Sequence, residues 1–497
     1  MIPEIRSTSI PSVRPQAQNA PPVAQAASNP TPNASDSVDI RPQSSLDRLL
    51  ATTAPEASRL EADLGEHVPG EVLVKLKSHP LTKSQGTFAQ RFGATVLERF
   101  DFPKDIYKNF TGEMLHLKLP EGMTTAQALA AMQQDPRVEY VIPNNIYTLD
   151  DPPAENTSAS SQGASADAPK TPNDLKPELW GLHNTGQKGG TPDADIDAPE
   201  AWAVTTGNPN GPLIAVIDTG VDYNHPDLVN NIWTNPGEIP GDGIDNDGNG
   251  VIDDVHGYNA YAQTGDPMDG HSHGTHCAGT IAAEGNNDQG VVGVNWRARI
   301  MPVKIFSDAG STNSAAIVRG ILYATKNGAR VTSNSWGGGA ADPAIREAFA
   351  NSPALHIMAA GNSGTNNDAR PHYPSSYDLT NNIAVAASDR NDRLAGFSCY
   401  GEKSVDIAAP GVEIYSTIPG GGYANKSGTS MATPHVAGAA GLLLASDPNM
   451  SNDELKTRLL EGADKLDSLQ GKVATGARLN IANAIAMDYE ATEKPNV

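Results

Sequence analysis

Cysteine is almost missing from this chain: Cys277 and Cys399 are the only two among 497 residues. Two thiols close one bridge at most, so a disulfide scaffold is excluded, and both are expected to be buried free thiols. Cys277 lies four residues after His273, one helical turn on, and reads as a packing residue rather than a nucleophile. Basic charge is also short, with 35 Lys and Arg against 58 Asp and Glu and a net charge of -23. That balance excludes nucleic acid or an anionic membrane as the main partner and suits calcium. No apolar run reaches the ~18 residues that a membrane span needs. Residues 1–30 likewise lack the apolar run of a secretion signal.

What is present divides along the chain. Residues 1–66 are rich in Ala, Pro, Ser, Asn and Gln without a period, and are expected to be disordered apart from a short helix near Ser45–Ala62. From 70 to 149 the texture changes. Glu71–Lys77 and Met114–Leu119 alternate as strands, Thr95–Phe100 and Val138–Val141 read as two more, and Thr125 is expected to cap an Ala-rich helix. Strand, helix, strand, strand, helix, strand is a small α+β, ferredoxin-like domain. Residues 150–173, dominated by Ala, Ser, Pro and Asp, make a linker.

Residues 174–485 form one α/β unit, followed by a tail at 486–497. Apolar runs predict strands at Leu213–Ile217, Arg299–Ile305, Val331–Ser335, His356–Ala360, Ile383–Ala386 and Asp406–Ala409. Between them fall helices at His273–Ala283, Asn313–Asn327 and Pro343–Asn351. Such alternation predicts a mostly parallel central sheet flanked by helices on both faces. Ser430–Ala445 is apolar nearly all round and reads as a buried helix. Further helices are expected at Asp453–Leu460 and Asn480–Met487.

Three reactive side chains sit in small-residue settings on these elements. Asp218 ends an apolar strand, where an open α/β sheet presents its chemistry, although a lone Asp there is usually a turn residue. His273 enters a helix behind Gly274, and by residue chemistry alone His271 and His276 compete with it. Ser430 precedes the buried helix, where amide hydrogens can receive charge developing on a substrate oxygen; its bland reading is an N-cap. Asn362 follows another strand and offers either an oxyanion donor or an Asx turn. Carboxylate, imidazole and hydroxyl are the parts of a hydrolase that attacks a carbonyl.

The blocks Val216-Ile217-Asp218-Thr219-Gly220, His273-Gly274-Thr275-His276-Cys277-Ala278-Gly279-Thr280 and Gly428-Thr429-Ser430-Met431-Ala432-Thr433-Pro434-His435 carry a resemblance. In that order they resemble the subtilisin-like serine proteases, the subtilases. The resemblance implies a serine endopeptidase with Asp218 as orienter, His273 as base and then acid, Ser430 as nucleophile and Asn362 as oxyanion donor. It implies a substrate strand at Ser333, Ser335, Trp336 and Gly337, facing a wall of Ala360 and Gly361. With no charge evident there, apolar or aromatic residues are expected before the cleaved bond. Residues 70–149 resemble the family's inhibitory propeptide, with self-cleavage after about Leu149 or within 150–173. Protein or peptide substrates, a monomeric state and an exported life are expected with it. An inactive binding module would have lost a reactive residue, and none is lost; an esterase is chemically allowed but disfavoured by the substrate strand.

Two regions are candidates for structural calcium. Asp245, Asp247, Asn249 and Asp253 stand at alternate oxygen positions around Gly250, much like a calcium loop, but His256 stands where a bidentate Glu would close it. The second rests on the resemblance alone: Asp227 and Asn287 through side chains, with Gly285, Gln289 and Val291 through carbonyls.

Overall fold

The computed structural model describes residue 61 and residues 63–78, 85–150 and 171–487. Most of the N-terminal segment, the linker from 151 to 170 and the tail from 488 lie outside them. Glu61, however, is in place: its carboxylate accepts from the amides of Thr125 (3.1 Å) and Ala126 (2.8 Å) at a helix N-terminus.

The first domain runs β1 (His67–Leu76), α1 (Gln85–Arg91), β2 (Thr95–Phe100), β3 (Glu113–Lys118), α2 (Thr125–Met132) and β4 (Val138–Thr148). Its strands are antiparallel in the order β2-β3-β1-β4. Alternation sorts the two faces of this sheet. Val72, Val74, Leu115 and Leu117 pack with Phe88, Ala128 and Met132 of the two helices. Leu73 and Met114, pointing the other way, join a cluster of the larger domain. Thr124, not Thr125, caps α2: its hydroxyl accepts from Gln127 N while the Gln127 side chain returns to Thr124 N. Thr125 is instead buried, its hydroxyl beside His67 Nε2 at 3.1 Å.

The larger domain continues with α3 (Ala198–Trp202), β5 (Leu213–Asp218), β6 (Tyr258–Asn259), α4 (His273–Ala282), β7 (Arg299–Lys304), β8 (Ser311–Asn313), α5 (Ser314–Lys326) and β9 (Ala329–Asn334). Next come α6 (Pro343–Ala350), β10 (Leu355–Ala359), β11 (Asn382–Ser388), β12 (Ile407–Pro410), the hairpin β13 (Ile414–Ile418) and β14 (Gly422–Lys426), and α7 (Thr429–Ser446). The described chain ends through α8 (Asn452–Glu461), β15 (Asp464–Lys465), β16 (Ala477–Arg478) and α9 (Ile481–Ala486). The main sheet has the order β15-β16-β12-β11-β10-β9-β5-β7-β6 and is parallel except at β15–β16. Every residue of β5 is buried. Ile214 and Val216 face α4 and α7, whereas Leu213, Ala215 and Ile217 face α5 and α6. A strand covered on both faces must be apolar throughout, which is why these runs were readable.

The two domains share an edge. β4 pairs antiparallel with β8 (Ile146 with Asn313, Tyr147 with Thr312, Thr148 with Ser311), and Leu149 N donates to Gly310 O at 3.0 Å. Among the described residues no helix is long and apolar enough to cross a membrane.

Candidate active site

Asp218 is the last residue of β5, and its Oδ1 accepts from Thr219 N at 2.7 Å and lies 2.7 Å from His273 Nδ1. The approach of α4 to β5 depends on Gly274, where a Cβ would stand 2.1 Å from Gly220 O. Thr219 Oγ1 fixes the junction by accepting from Gly274 N (2.9 Å) and donating to Asp269 (2.9 Å), which also takes the Thr275 hydroxyl (2.6 Å). Burial opposes a charged His273 ring, but the charge and hydrogen bond of Asp218 outweigh it and hold the imidazole well above its ordinary range. Cys277, whose own pKa burial pushes up, is a neutral thiol there, so Asp218 is the partner that counts. An imidazole fixed through Nδ1 on a carboxylate is set to move protons at Nε2.

The competing histidines separate at this point. His276 presents Nε2 to the carbonyls of Ile414 (3.0 Å) and Ala424 (3.1 Å), and burial pushes its pKa down to about 3. It is a neutral tie between α4 and the hairpin. His271 stands with its ring 6.5 Å from that of His273, and it is His273 Nδ1 that lies 2.7 Å from Asp218 Oδ1.

Ser430 is the second residue of α7, entered through Gly428 at φ 150. Its hydroxyl donates to Ser335 O at 3.0 Å. Pro434, four residues on, has no N–H to give to the Ser430 carbonyl. The freed oxygen takes the Cys277 thiol at an S···O distance of 3.5 Å, and the same sulfur lies 4.0 Å from His273 Nδ1. Cys277 therefore joins the two helices under the site, as a small packing donor. Cys399 is also a free, buried thiol.

Asn362 follows Gly361, whose φ of +105 favours glycine. Asn362 Oδ1 accepts from Thr429 N (2.8 Å) and Thr429 Oγ1 (3.0 Å), which turns its amide NH2 into the cleft, where it donates to Asp150 O. Thr429 was not singled out in the sequence, because a residue before a helix looks like any cap.

The expected substrate wall is assembled in part. Gly337 lines a cleft with residues 146–150, and Gly338 and Gly339 join it there. Ala360 and Gly361 follow β10, and Gly361 N donates to Thr429 Oγ1 at 3.1 Å. Ser333 lies buried in β9, and Ser335 takes part through its carbonyl. Trp336 turns away from the cleft: its indole is buried and donates to Ile217 O at 2.8 Å, a structural anchor.

The two acidic regions differ. Around 245–253 most oxygens are already engaged: Asp245 accepts from Gly248, Asn249 and Gly250 amides, Asp253 from Gly241 and Gly243, and Asn249 Oδ1 from Val251. The group whose oxygens converge is Glu238, Asp247 and Asp254, so of the expected set only Asp247 belongs to it. In the other region the buried Asp227 accepts from Asn287 Nδ2 (2.7 Å), Val291 N (2.9 Å) and the Tyr423 hydroxyl (3.2 Å). Gln289 N donates to Asn287 Oδ1 at 2.9 Å. A residue absent from the expected set, Asp174, reaches in beside them: Oδ2 accepts from Asn287 N at 3.0 Å, and Oδ1 is buried with no hydrogen-bond partner among the described residues. Desolvation chiefly, with a contribution from Asp227, pushes its pKa up. Gly285 packs tightly on Trp296 beside this loop. Asp218, His273 and Cys277 also converge, but their mutual bonds are those of the site just described.

Two sequence patterns of known families match the chain. The sequence pattern of the Subtilase family matches residues 209–477, and that of the Fervidolysin N-terminal prodomain matches residues 54–144. Thermitase of Thermoactinomyces vulgaris is 40% identical over 295 residues, which is 58% of this chain and 93% of that protein. The thermophilic serine proteinase of Bacillus sp. strain AK1 is 34% identical over 424 residues, 85% of this chain and 88% of its own. The crystal structure of fervidolysin from Fervidobacterium pennivorans, a keratinolytic enzyme related to subtilisin, superposes with a TM-score of 0.64 at 27% identity over 86% of this chain. The match spans 62% of the fervidolysin chain.

Proposed function

Because the chain belongs to the subtilase family and carries a fervidolysin-type prodomain, we propose that it is a serine endopeptidase made as a self-inhibited zymogen. Ser430 Oγ attacks the substrate carbonyl carbon as its proton passes to His273 Nε2. Asp218 steadies the imidazolium, and the Asn362 amide receives the oxyanion. His273 then gives the proton to the departing amine, and water hydrolyses the acyl-enzyme by the same route. The observation that carries this reading is the carbonyl of Asp150 accepting from Asn362 Nδ2, beside a buried Asp218–His273 pair at 2.7 Å.

The prodomain would inhibit as a bound product-like strand, since β4 extends along β8 as an extended peptide would. The antiparallel order β2-β3-β1-β4 with two helices on one face supports a ferredoxin-like assignment for this domain. A divalent cation, calcium by its taste for hard oxygen ligands, would be held by Asp174 and Asp227 with help from the 285–291 loop; it would clamp loops and take no part in catalysis. Glu238, Asp247 and Asp254 offer a second oxygen cluster. A monomer acting outside the cell fits an enzyme that is inhibited until it is released. Size-exclusion chromatography and fractionation of a producing culture test those two points.

The decisive assay is casein turnover by purified chain with and without Ser430→Ala. The variant should lose about 10⁶-fold in kcat, the scale established for subtilisin-type triads, and should stay unprocessed. Equal turnover by both proteins would end the peptidase reading.

A further inference from the structure

The pocket behind residue 150 has a floor that the sequence did not reveal. Asp150 presents its carbonyl to Asn362 Nδ2, while Asn362 N donates to the Asp150 carboxylate Oδ2 at 3.0 Å. Residues 146–150 line one cleft with Gly337, Gly338 and Gly339. The side chain of residue 150 thus lies between the strand after Ser335 and the turn at Gly361-Asn362.

His372 stands directly behind both walls. A Cβ built on Gly337 would meet its Cε1 at 2.1 Å and its Nε2 at 2.8 Å; one on Gly361 would meet Cδ2 at 2.8 Å and Nε2 at 2.9 Å. Glycine at both positions is what lets the ring edge close the pocket. Nε2 is buried and has no hydrogen-bond partner among the described residues. On the other side of the ring, Ser375 Oγ lies 3.1 Å from Nδ1 and 2.9 Å from the His372 carbonyl, so its single proton can go to either. When it goes to Nδ1, the ring's own hydrogen sits on Nε2 and points between the two glycines. Burial pushes the pKa of this ring down to about 4, against the pull of the Asp150 charge, so the donor offered at neutral pH is uncharged.

Resting on the peptidase reading, we infer that this pocket selects an oxygen-bearing side chain, Asp or Asn, immediately before the cleaved bond, with His372 as the specificity-determining residue and Asp150 as its first occupant. An aliphatic or aromatic side chain would cover Nε2 without offering it an acceptor. A carboxylate or amide group is held by the Asn362 backbone N–H, as Asp150 Oδ2 is at 3.0 Å, and can turn its other polar atom towards Nε2, which Asp150 leaves unbonded in the bound prodomain. A site built around a buried polar group discriminates against analogues that cannot pair with it. The maturation cut then falls on the carbonyl side of Asp150. Ser430 Oγ bonds to that carbonyl carbon, the C–N bond to residue 151 breaks, and the proton taken by His273 leaves on the new amine.

The test uses the mature wild-type enzyme and a peptide series differing only in the residue before the cleaved bond: Asp, Asn, Leu and Phe. We expect kcat/KM for Asp and Asn to exceed that for Leu and Phe by about tenfold or more, and the released prodomain to end at Asp150 by mass spectrometry. His372→Leu, similar in bulk but without a donor, should reverse the preference. His372→Gln, which keeps an N–H, should retain it. A wild-type enzyme that cleaves casein yet shows no preference, or prefers Leu and Phe, overturns this inference alone, whether or not the variants fold. A wild-type chain that is inert on casein overturns the peptidase reading and this inference with it.

Discussion

The interior of the peptidase domain and its junction with the prodomain are built from different materials. Inside, β5 and its neighbours are buried on both faces by aliphatic side chains, and α7 is buried along nearly its whole length. At the junction an apolar and aromatic set that includes Leu73, Phe102, Tyr107, Phe110 and Met114 is interleaved with a polar one. Lys75, 1% exposed, donates to both carboxylate oxygens of Glu347 (2.8 and 2.9 Å) and lies 3.8 Å from the centre of the Phe110 ring. Tyr140 donates to the same Glu347 at 2.8 Å, Asn145 donates to Asp342 at 3.2 Å, and Asn144 Oδ1 accepts from Ala315 N at 3.1 Å. Polar groups can return to water when a partner leaves, whereas an aliphatic core cannot be opened without large loss. The difference is that the interior is aliphatic throughout, whereas the junction mixes apolar packing with charged and hydrogen-bonded groups that water can take back.

That contrast can be broken in three places. The largest effect is expected inside, at Asp218→Asn, with kcat down by about 10⁴-fold as in triads of this kind. Because Asp218 holds the His273 pKa up and catalysis needs the neutral ring, wild-type kcat/KM should fall as pH drops through that raised value. In the variant the acid limb should move to lower pH; a limb that does not move would show that His273 is not the base. At the junction, Glu347→Ala leaves Lys75 buried without its anion, a loss of about 3–5 kcal/mol. It should weaken inhibition by added prodomain by at least about 100-fold while leaving kcat of the mature enzyme unchanged. Equal inhibition constants would mean that the apolar contacts alone hold the prodomain. The smallest effect concerns the acidic regions: chelation, or Asp174→Asn, should lower the melting temperature by about 5 °C through lost cation linkage. Asp245→Ala should respond to chelator as the wild type does. If Asp174→Asn melts unchanged and still responds fully to chelator, the cation lies elsewhere.

Much of the fold was readable because its physics is local. Buried parallel strands must be apolar runs, so Leu213–Asp218 and Asn382–Ser388 announced themselves within a residue or two of their expected bounds. Strands of two or three residues, such as Tyr258–Asn259 and Ser311–Asn313, are too short to carry a period. The hairpin Ile414–Ile418 with Gly422–Lys426 was missed as well, its second strand being mostly polar and only half-buried. Oxygen spacing at 245–253 suggested a ligand loop, yet backbone amides compete for the same oxygens, and only folding decides which win.

By itself the sequence determined the order of elements and, through its resemblance to the subtilases, singled out Asp218, His273 and Ser430, although local residue chemistry left His271 and His276 competing with His273. Only the tertiary structure decided which neighbours complete them: Thr429 turning the Asn362 amide, Asp174 joining Asp227 from more than fifty residues away, and His372 closing the pocket behind Gly337 and Gly361. Those pairings depend on distance in space between segments far apart in the chain, and no periodicity along one segment encodes what another will bring against it.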